Sequence, residues 1–206
     1  MQMVNNIRRY KGTPPLQLLS QKKTIKKRND WDDVFPRYTD YTGDVLKRNH
    51  PSALSSPSYS YVNETGRNDF MTLKVARDNQ FIYFLAKTKE PIITSAGENW
   101  MTLYINSDRS FLTGWNGYDY RVIDGKYCEL YKEGKWIKYI DVKFYVDINQ
   151  MMISVPLKAL SLDPDRLNLE FKWCDNWVNE DPMDWYVNGD TAPGGRFNYI
   201  ATSLSE

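Results

Sequence analysis

The stretch Gly97–Val122, GENWMTLYINSDRSFLTGWNGYDYRV, decides how the rest of the chain is read. Trp100, Leu103 and Ile105 read as a strand, and Asn106-Ser107-Asp108 breaks it. Gly114-Trp115-Asn116-Gly117-Tyr118-Asp119 then turns the chain into a second strand that runs to Val122. A strand, a polar tip, a glycine-aromatic turn and another strand are β grammar. No reaction is spelled out in it.

Working toward the N-terminus, Met71, Leu73 and Val75 alternate with polar neighbours, and Arg77-Asp78-Asn79-Gln80 turns. Phe81 to Ala86 is apolar on both faces, which predicts a central strand covered on both sides. Working toward the C-terminus, Tyr120–Ile123, Tyr127–Tyr131 and Trp136–Ile140 read as strands separated by Asp124-Gly125 and Glu133-Gly134. Val142–Val146 and Met151–Val155 flank a further turn at Asp147–Gln150, and Pro156–Leu162 reads as one helical turn. Leu167, Leu169, Phe171 and Trp173 alternate with Asn168, Glu170 and Lys172, predicting an apolar side inward and a polar side toward solvent. Turn signals at intervals of roughly 8–12 residues point to an all-β, antiparallel, jelly-roll-type sandwich of roughly ten strands.

The flanks read differently. Within Met1–Ser20, Val4, Ile7 and Tyr10 fall at helical spacing before Gly12 and Pro14-Pro15 end the run. Residues 1–20 are therefore expected to be a lead-in and linker from a preceding domain, with 21–206 forming one β-sandwich domain. Lys22–Arg28, KKTIKKR, reads as an edge strand guarded by lysines, and Trp31 as packed under the NDWDD turn. Tyr38–Pro57 lacks strand patterning and reads as a long polar loop carrying the single histidine, His50.

Composition narrows the function classes. The 27 Lys plus Arg against 26 Asp plus Glu leave a charge of +1, so no basic field invites nucleic acid. No apolar run is long enough to span a membrane, and the opening residues do not read as a charged-then-apolar leader. Cys128 and Cys174 are two buried thiols or one cross-sandwich disulfide. The 15 Tyr and 7 Trp suit half-buried sheet surfaces, and leave open whether a ring is core or ligand platform.

Chemistry is sparse. Asp108, Asp119, Asp175, Glu180, Asp181, Asp184 and Asp190 are carboxylates in turn-rich segments, but acid-base hydrolysis needs two held at a set separation. His50 has no nucleophile elbow beside it, and Gly194-Gly195 lacks a phosphate-loop pattern. Asn106, Asp108, Asp119, Asp175, Asn176, Glu180 and Asp181 supply oxygens that suit calcium, or equally cap their own turns. Trp115, Tyr118 and Trp177 sit among Gly, Asn and Asp and suit stacking on sugar rings, with Asn116, Asp119 and Asp175 as hydroxyl partners. Trp31, Trp100, Trp136 and Trp173 lie in or beside strands and read as core.

The order of NDWDDV (29–34), KVARDNQFIYFLAKT (74–88), WMTLYINSD (100–108) and TGWNGYDYRV (113–122) resembles the family-nine-type carbohydrate-binding modules and their DOMON relatives. DPMDWYVNGDTAPGGRFNY (181–199) is similar to the ending of C-terminal modules of secreted bacterial glycoside hydrolases, and NNIRRYKGTPPL (5–16) looks like a junction after a catalytic domain. The resemblance implies a β-sandwich that is not itself an enzyme, in a secreted, periplasmic or cell-surface protein, some of whose relatives bind calcium. It implies two partners, a glycan or the upstream catalytic domain of the same polypeptide. A docking module without sugar binding is the alternative, and a self-standing hydrolase the third reading.

Overall fold

The computed structural model describes residues 10–12, 21–51, 60–93, 99–177, 180–182, 185, 189–195 and 197–203. Through these the chain forms β1 (Gln21–Lys22), β2 (Arg37–Thr39), β3 (Arg48–Pro51), β4 (Ser60–Asn63) and β5 (Phe70–Arg77). There follow β6 (Phe81–Thr88), β7 (Thr102–Asn106), β8 (Tyr120–Ile123), β9 (Tyr127–Lys132) and β10 (Lys135–Asp141). The last five are β11 (Lys143–Asp147), β12 (Gln150–Pro156), β13 (Asn168–Asp175), β14 (Asp190–Ala192) and β15 (Tyr199–Thr202). The expectation of roughly ten strands falls short because several edge strands are only two to four residues long, too short to show alternation.

Two sheets face each other. The first has the order β1-β5-β6-β12-β11, with β2 also pairing with β5. The second has the order β10-β9-β8-β7-β13-β14, with β15 also pairing with β13. All pairings are antiparallel except β1 with β5, so the molecule is an antiparallel β-sandwich. Alternation sets the interior: Leu73 and Val75, Ile82 and Phe84, and Met151, Ile153 and Val155 from one sheet meet Leu103, Ile105, Val122, Leu169, Phe171 and Trp173 from the other. Each such side chain taken fully out of water contributes about 1.5–3 kcal/mol.

Both sheets are also covered outside. Ile25, Trp31 and Val34 lie over Ala76, Tyr83 and Leu85, so β6 is buried on both faces, as its continuous apolar run implies. Trp31 packs there as expected, its indole N–H pointing at Met152 Sδ at 2.8 Å. The buried ammonium of Lys74 donates to the Trp31 carbonyl and holds that cover in place.

Several expectations are corrected. Residues within Tyr38–Pro57 form β2 and β3, and β3 pairs with β4 as a two-stranded ribbon. Ladder hydrogen bonds need no apolar face, so a ribbon that is mostly polar on both sides leaves no alternation to read. His50 lies exposed on β3, its ring 5.2 Å from that of Tyr61. Of the basic run only Lys22 lies in strand, at the end of β1; Lys22, Lys23 and Arg28 pair with Asp165, Asp33 and Asp147. The strand placed at Trp100 begins at Thr102, because Met101 takes a left-handed φ of 45° that turns the chain after a buried Trp100. The outer face of β13 is not solvated: Lys172 is 1% exposed and Glu170 9%. Of the expected lead-in 1–20, only residues 10–12 are described.

Candidate functional site

The outer face of the second sheet carries the densest chemistry. Strand register lines up Lys138, Glu129, Arg121, Tyr104 and Lys172 across β10, β9, β8, β7 and β13. Tyr104 is the hub: Trp185 stacks on it with centroids 4.4 Å apart, Tyr118 lies at 5.2 Å and Trp115 at 6.0 Å. Trp177 closes the cluster beneath, its indole N–H bonding Thr102 Oγ1 at 3.3 Å.

At the surface of this cluster Trp115 and Trp136 stand together, both half-buried, with centroids 6.0 Å apart and planes at 62°. Tyr131 meets Trp136 edge-to-face, with centroids 5.1 Å apart. The Arg121 guanidinium lies 4.6 Å from the Trp136 ring centroid and pairs with Glu129 at 2.5 Å and with Glu180. A cation over an indole face contributes about 0.5–2 kcal/mol and fixes the ring plane. Two fixed indoles beside a charged, forked hydrogen-bonding group can stack on and bond to a polar ring.

A tight turn presents Trp115. Asn116 and Gly117 have φ values of 51° and 90°, and Trp115 and Tyr118 exchange backbone hydrogen bonds of 2.8 and 2.9 Å across them. Gly114 completes the turn: a Cβ there would sit 2.2 Å from the Tyr118 carbonyl oxygen. Asp119 accepts from the Ser107 amide at 2.8 Å and from its hydroxyl at 2.9 Å, tying the turn back to the end of β7.

The six residues singled out from the sequence thus fall into distinct places. Trp115 and Asn116 reach the surface; Asp119 is half-buried in its turn. Tyr118 is 4% exposed, its hydroxyl donating to Asn198 Oδ1 at 2.7 Å, and Trp177 is 8% exposed. Asp175 is sealed in the interior, where it pairs with Arg67 Nε at 2.8 Å and accepts from Asn68 and from the Met101 amide. Burial raises its carboxyl above the ordinary value even though Arg67 and these donors pull it down. Trp136, expected in the core, lies on the outer face, and with Arg121, Glu129 and Trp185 it was not singled out. The register that pairs Trp136 with Tyr131 puts both on the Tyr104 side.

Several of the groups considered for calcium serve their own surroundings, while Asn106 Oδ1 is buried without a donor among the described residues. Asp108 caps Ser110 and Thr113, and Asn176 donates to Thr65. Among the described residues the carboxylates that do converge are Asp40, Asp44 and Asp190, which offer oxygens within 4.8 Å of one another. Burial first, and the neighbouring carboxylates after it, raise Asp40 to about 7 and move Asp44 and Asp190 upward too. Cys128 and Cys174 are free buried thiols, and burial pushes both upward, Cys128 to about 12, away from the thiolate form. No helix among the described residues is long and apolar enough to cross a membrane. No family model matches the chain, and no curated protein or solved structure matches it.

Proposed function

We propose that this chain is a non-catalytic carbohydrate-binding module of a larger, secreted or cell-surface, glycan-degrading protein. The supporting observation is the pair of half-buried indoles, Trp115 and Trp136, set side by side on a sheet face with Arg121, Glu129 and Glu180 around them. Apolar ring faces take the C–H faces of a pyranose, and the guanidinium and carboxylates take its hydroxyls. Asn116, exposed next to Trp115, adds an amide. Tyr118, Trp177 and Trp185 act as the packed bed that keeps the platform rigid, and Asp119 and Asp175 hold the backbone beneath it.

Affinity electrophoresis in gels containing soluble polysaccharides, followed by titration with the best oligosaccharide, tests this reading. Trp115→Ala and Trp136→Ala should each weaken binding about tenfold, ~1.4 kcal/mol, with far-UV circular dichroism unchanged. Retardation by no polysaccharide, or binding by both variants as tight as the parent's, would count against it. A second reading, docking onto the neighbouring domain of the same polypeptide, draws on β10 and β11, the end strands of the two sheets. Ile137, Tyr139, Phe144 and Tyr145 are exposed there on two consecutive strands. It expects no glycan binding, and loss of stability in the full protein when this module is deleted.

A further inference from the structure

We infer that β11 pairs with β11 of a second copy of this chain. The two strands run antiparallel about a two-fold axis through Tyr145, so one sheet continues into the next. The inference goes beyond sugar binding, because β11 ends the first sheet and the aromatic platform lies on the second. It also gives this edge an occupant other than a neighbouring domain.

The backbone comes first. Among the described residues β11 pairs with β12 alone, so its other side is a sheet edge. Asp147 and Gln150 flank a two-residue turn, which sets the ladder bonds to β12 on Asp147, Tyr145 and Lys143. The amides and carbonyls of Phe144 and Val146 therefore turn outward. Sheets guard such edges with a proline, a bulge or charges. β11, Lys-Phe-Tyr-Val-Asp, has no proline, and its register with β12 is unbroken. β10, the end strand of the other sheet, carries a bulge between Lys138 and Ile140. The one lysine of β11, Lys143, guards only against a strand that sets a cation opposite it.

The side chains then select a second copy. With Tyr145 on the axis, Lys143 lies opposite Asp147 of the second copy, and Asp147 opposite its Lys143. Phe144 lies opposite Val146 of the second copy, and these are the residues whose outward groups can exchange N–H···O bonds. Shifting the pairing by one residue sets outward groups against groups already bonded to β12; shifting it by two separates the charges. Hydrogen-bond parity and charge thus agree on one register. Tyr145 stands opposite Met152, which packs against the Trp31 cover, so Lys143, Tyr145 and Asp147 share the outer face. Their pairs are the non-bonded ones, in which side chains come closest. Arg28 takes Oδ2 of Asp147 at 3.3 Å, which leaves Oδ1 to the incoming ammonium. Phe144 and Tyr145, 42% and 54% exposed, are both covered by the pairing. A two-fold contact of this kind closes on itself and stops at a dimer.

The test is sedimentation equilibrium of the full chain from micromolar to millimolar concentration, where a monomer–dimer equilibrium is expected. Lys143→Asp and Asp147→Lys should each weaken it at least about tenfold, since each sets like charges opposite one another on both sides of the axis. An equimolar mixture of the two variants should associate as tightly as the parent, because every Asp then faces a Lys. Far-UV circular dichroism checks that both are folded; Lys143 is exposed, so its variant keeps the test open even where loss of the Arg28 pair unsettles Asp147→Lys. A monomer at every concentration overturns the inference and leaves the edge to a neighbouring domain. Dimers that Lys143→Asp forms as tightly as the parent also overturn it, by placing the contact elsewhere. So does a mixture of the two folded variants that stays monomeric.

Discussion

The carboxylate of Asp175 shows how far a residue's neighbours in sequence can mislead. Beside Asn176 and Trp177 it looks like a loop acid free to meet a ligand. In the fold a guanidinium 108 residues upstream, Arg67, takes it at 2.8 Å. The side chain of Asp175 is 0% exposed and that of Arg67 3%. Removing one partner of so deep a pair strands the other: Arg67→Met should cost about 3–5 kcal/mol in urea unfolding. The double variant with Asp175→Asn should lose clearly less, because no charge is left behind. Trp136 shows a second limit. A strand tryptophan faces the core or the outside according to pairing parity, and a one-residue change of register exchanges the two. Only the register, Trp136 opposite Tyr131, places it beside Trp115. The rings that make the platform were visible in the sequence; which of them share a face was not.

At the scale of the element, turns were the most legible feature, because their chemistry is local. Asp124-Gly125 and Glu133-Gly134 have φ values of 52° and 65°, and of 53° and 80°; these left-handed pairs turn the three-residue β8–β9 loop and the two-residue β9–β10 loop. Asp147–Gln150 was equally readable as a hairpin, but it carries an unfavourable residue. Ile148 has a φ of 52° and is 62% exposed, so a β-branched side chain takes a left-handed backbone with little packing in return. Ile148→Asn should raise stability by about 0.5–1 kcal/mol in the same urea assay, since Asn tolerates that region. Strands without a facing apolar side were illegible. The β3–β4 ribbon has mostly polar or exposed residues along both strands, and pairing alone defines it.

At the scale of the molecule, four neighbouring acids set the response to pH. Asp40 is raised to about 7, and Asp44, Asp69 and Asp190 are raised as well, burial leading in each case. An unfolded aspartate titrates near about 3.9, so between there and neutrality the folded state holds protons that the unfolded state has lost. Stability in EDTA should therefore fall as pH rises from about 4 toward about 7. Lys172, lowered to about 8 chiefly by burial, works at higher pH: its penalty is present below that value and relieved above it. Urea midpoints across this range check the sign, and Asp40→Asn should flatten the fall. The sandwich class was readable from spaced turns and from the amphipathic run that became β13. The covers on both outer faces were not, because they join residues as far apart as Trp31 and Met152.

The place of β13 in the second sheet also sets when the molecule can fold during synthesis. This strand, Asn168–Asp175, stands between β7 on one side and β14 and β15 on the other. Until it has left the ribosome, β7 has no partner along that edge, and Leu103 and Ile105 lack Leu169, Phe171 and Trp173 beside them. The first sheet waits in the same way for β12 to join β6. A nascent chain therefore carries unfinished, adhesive edges on both sheets until β12 and β13 emerge.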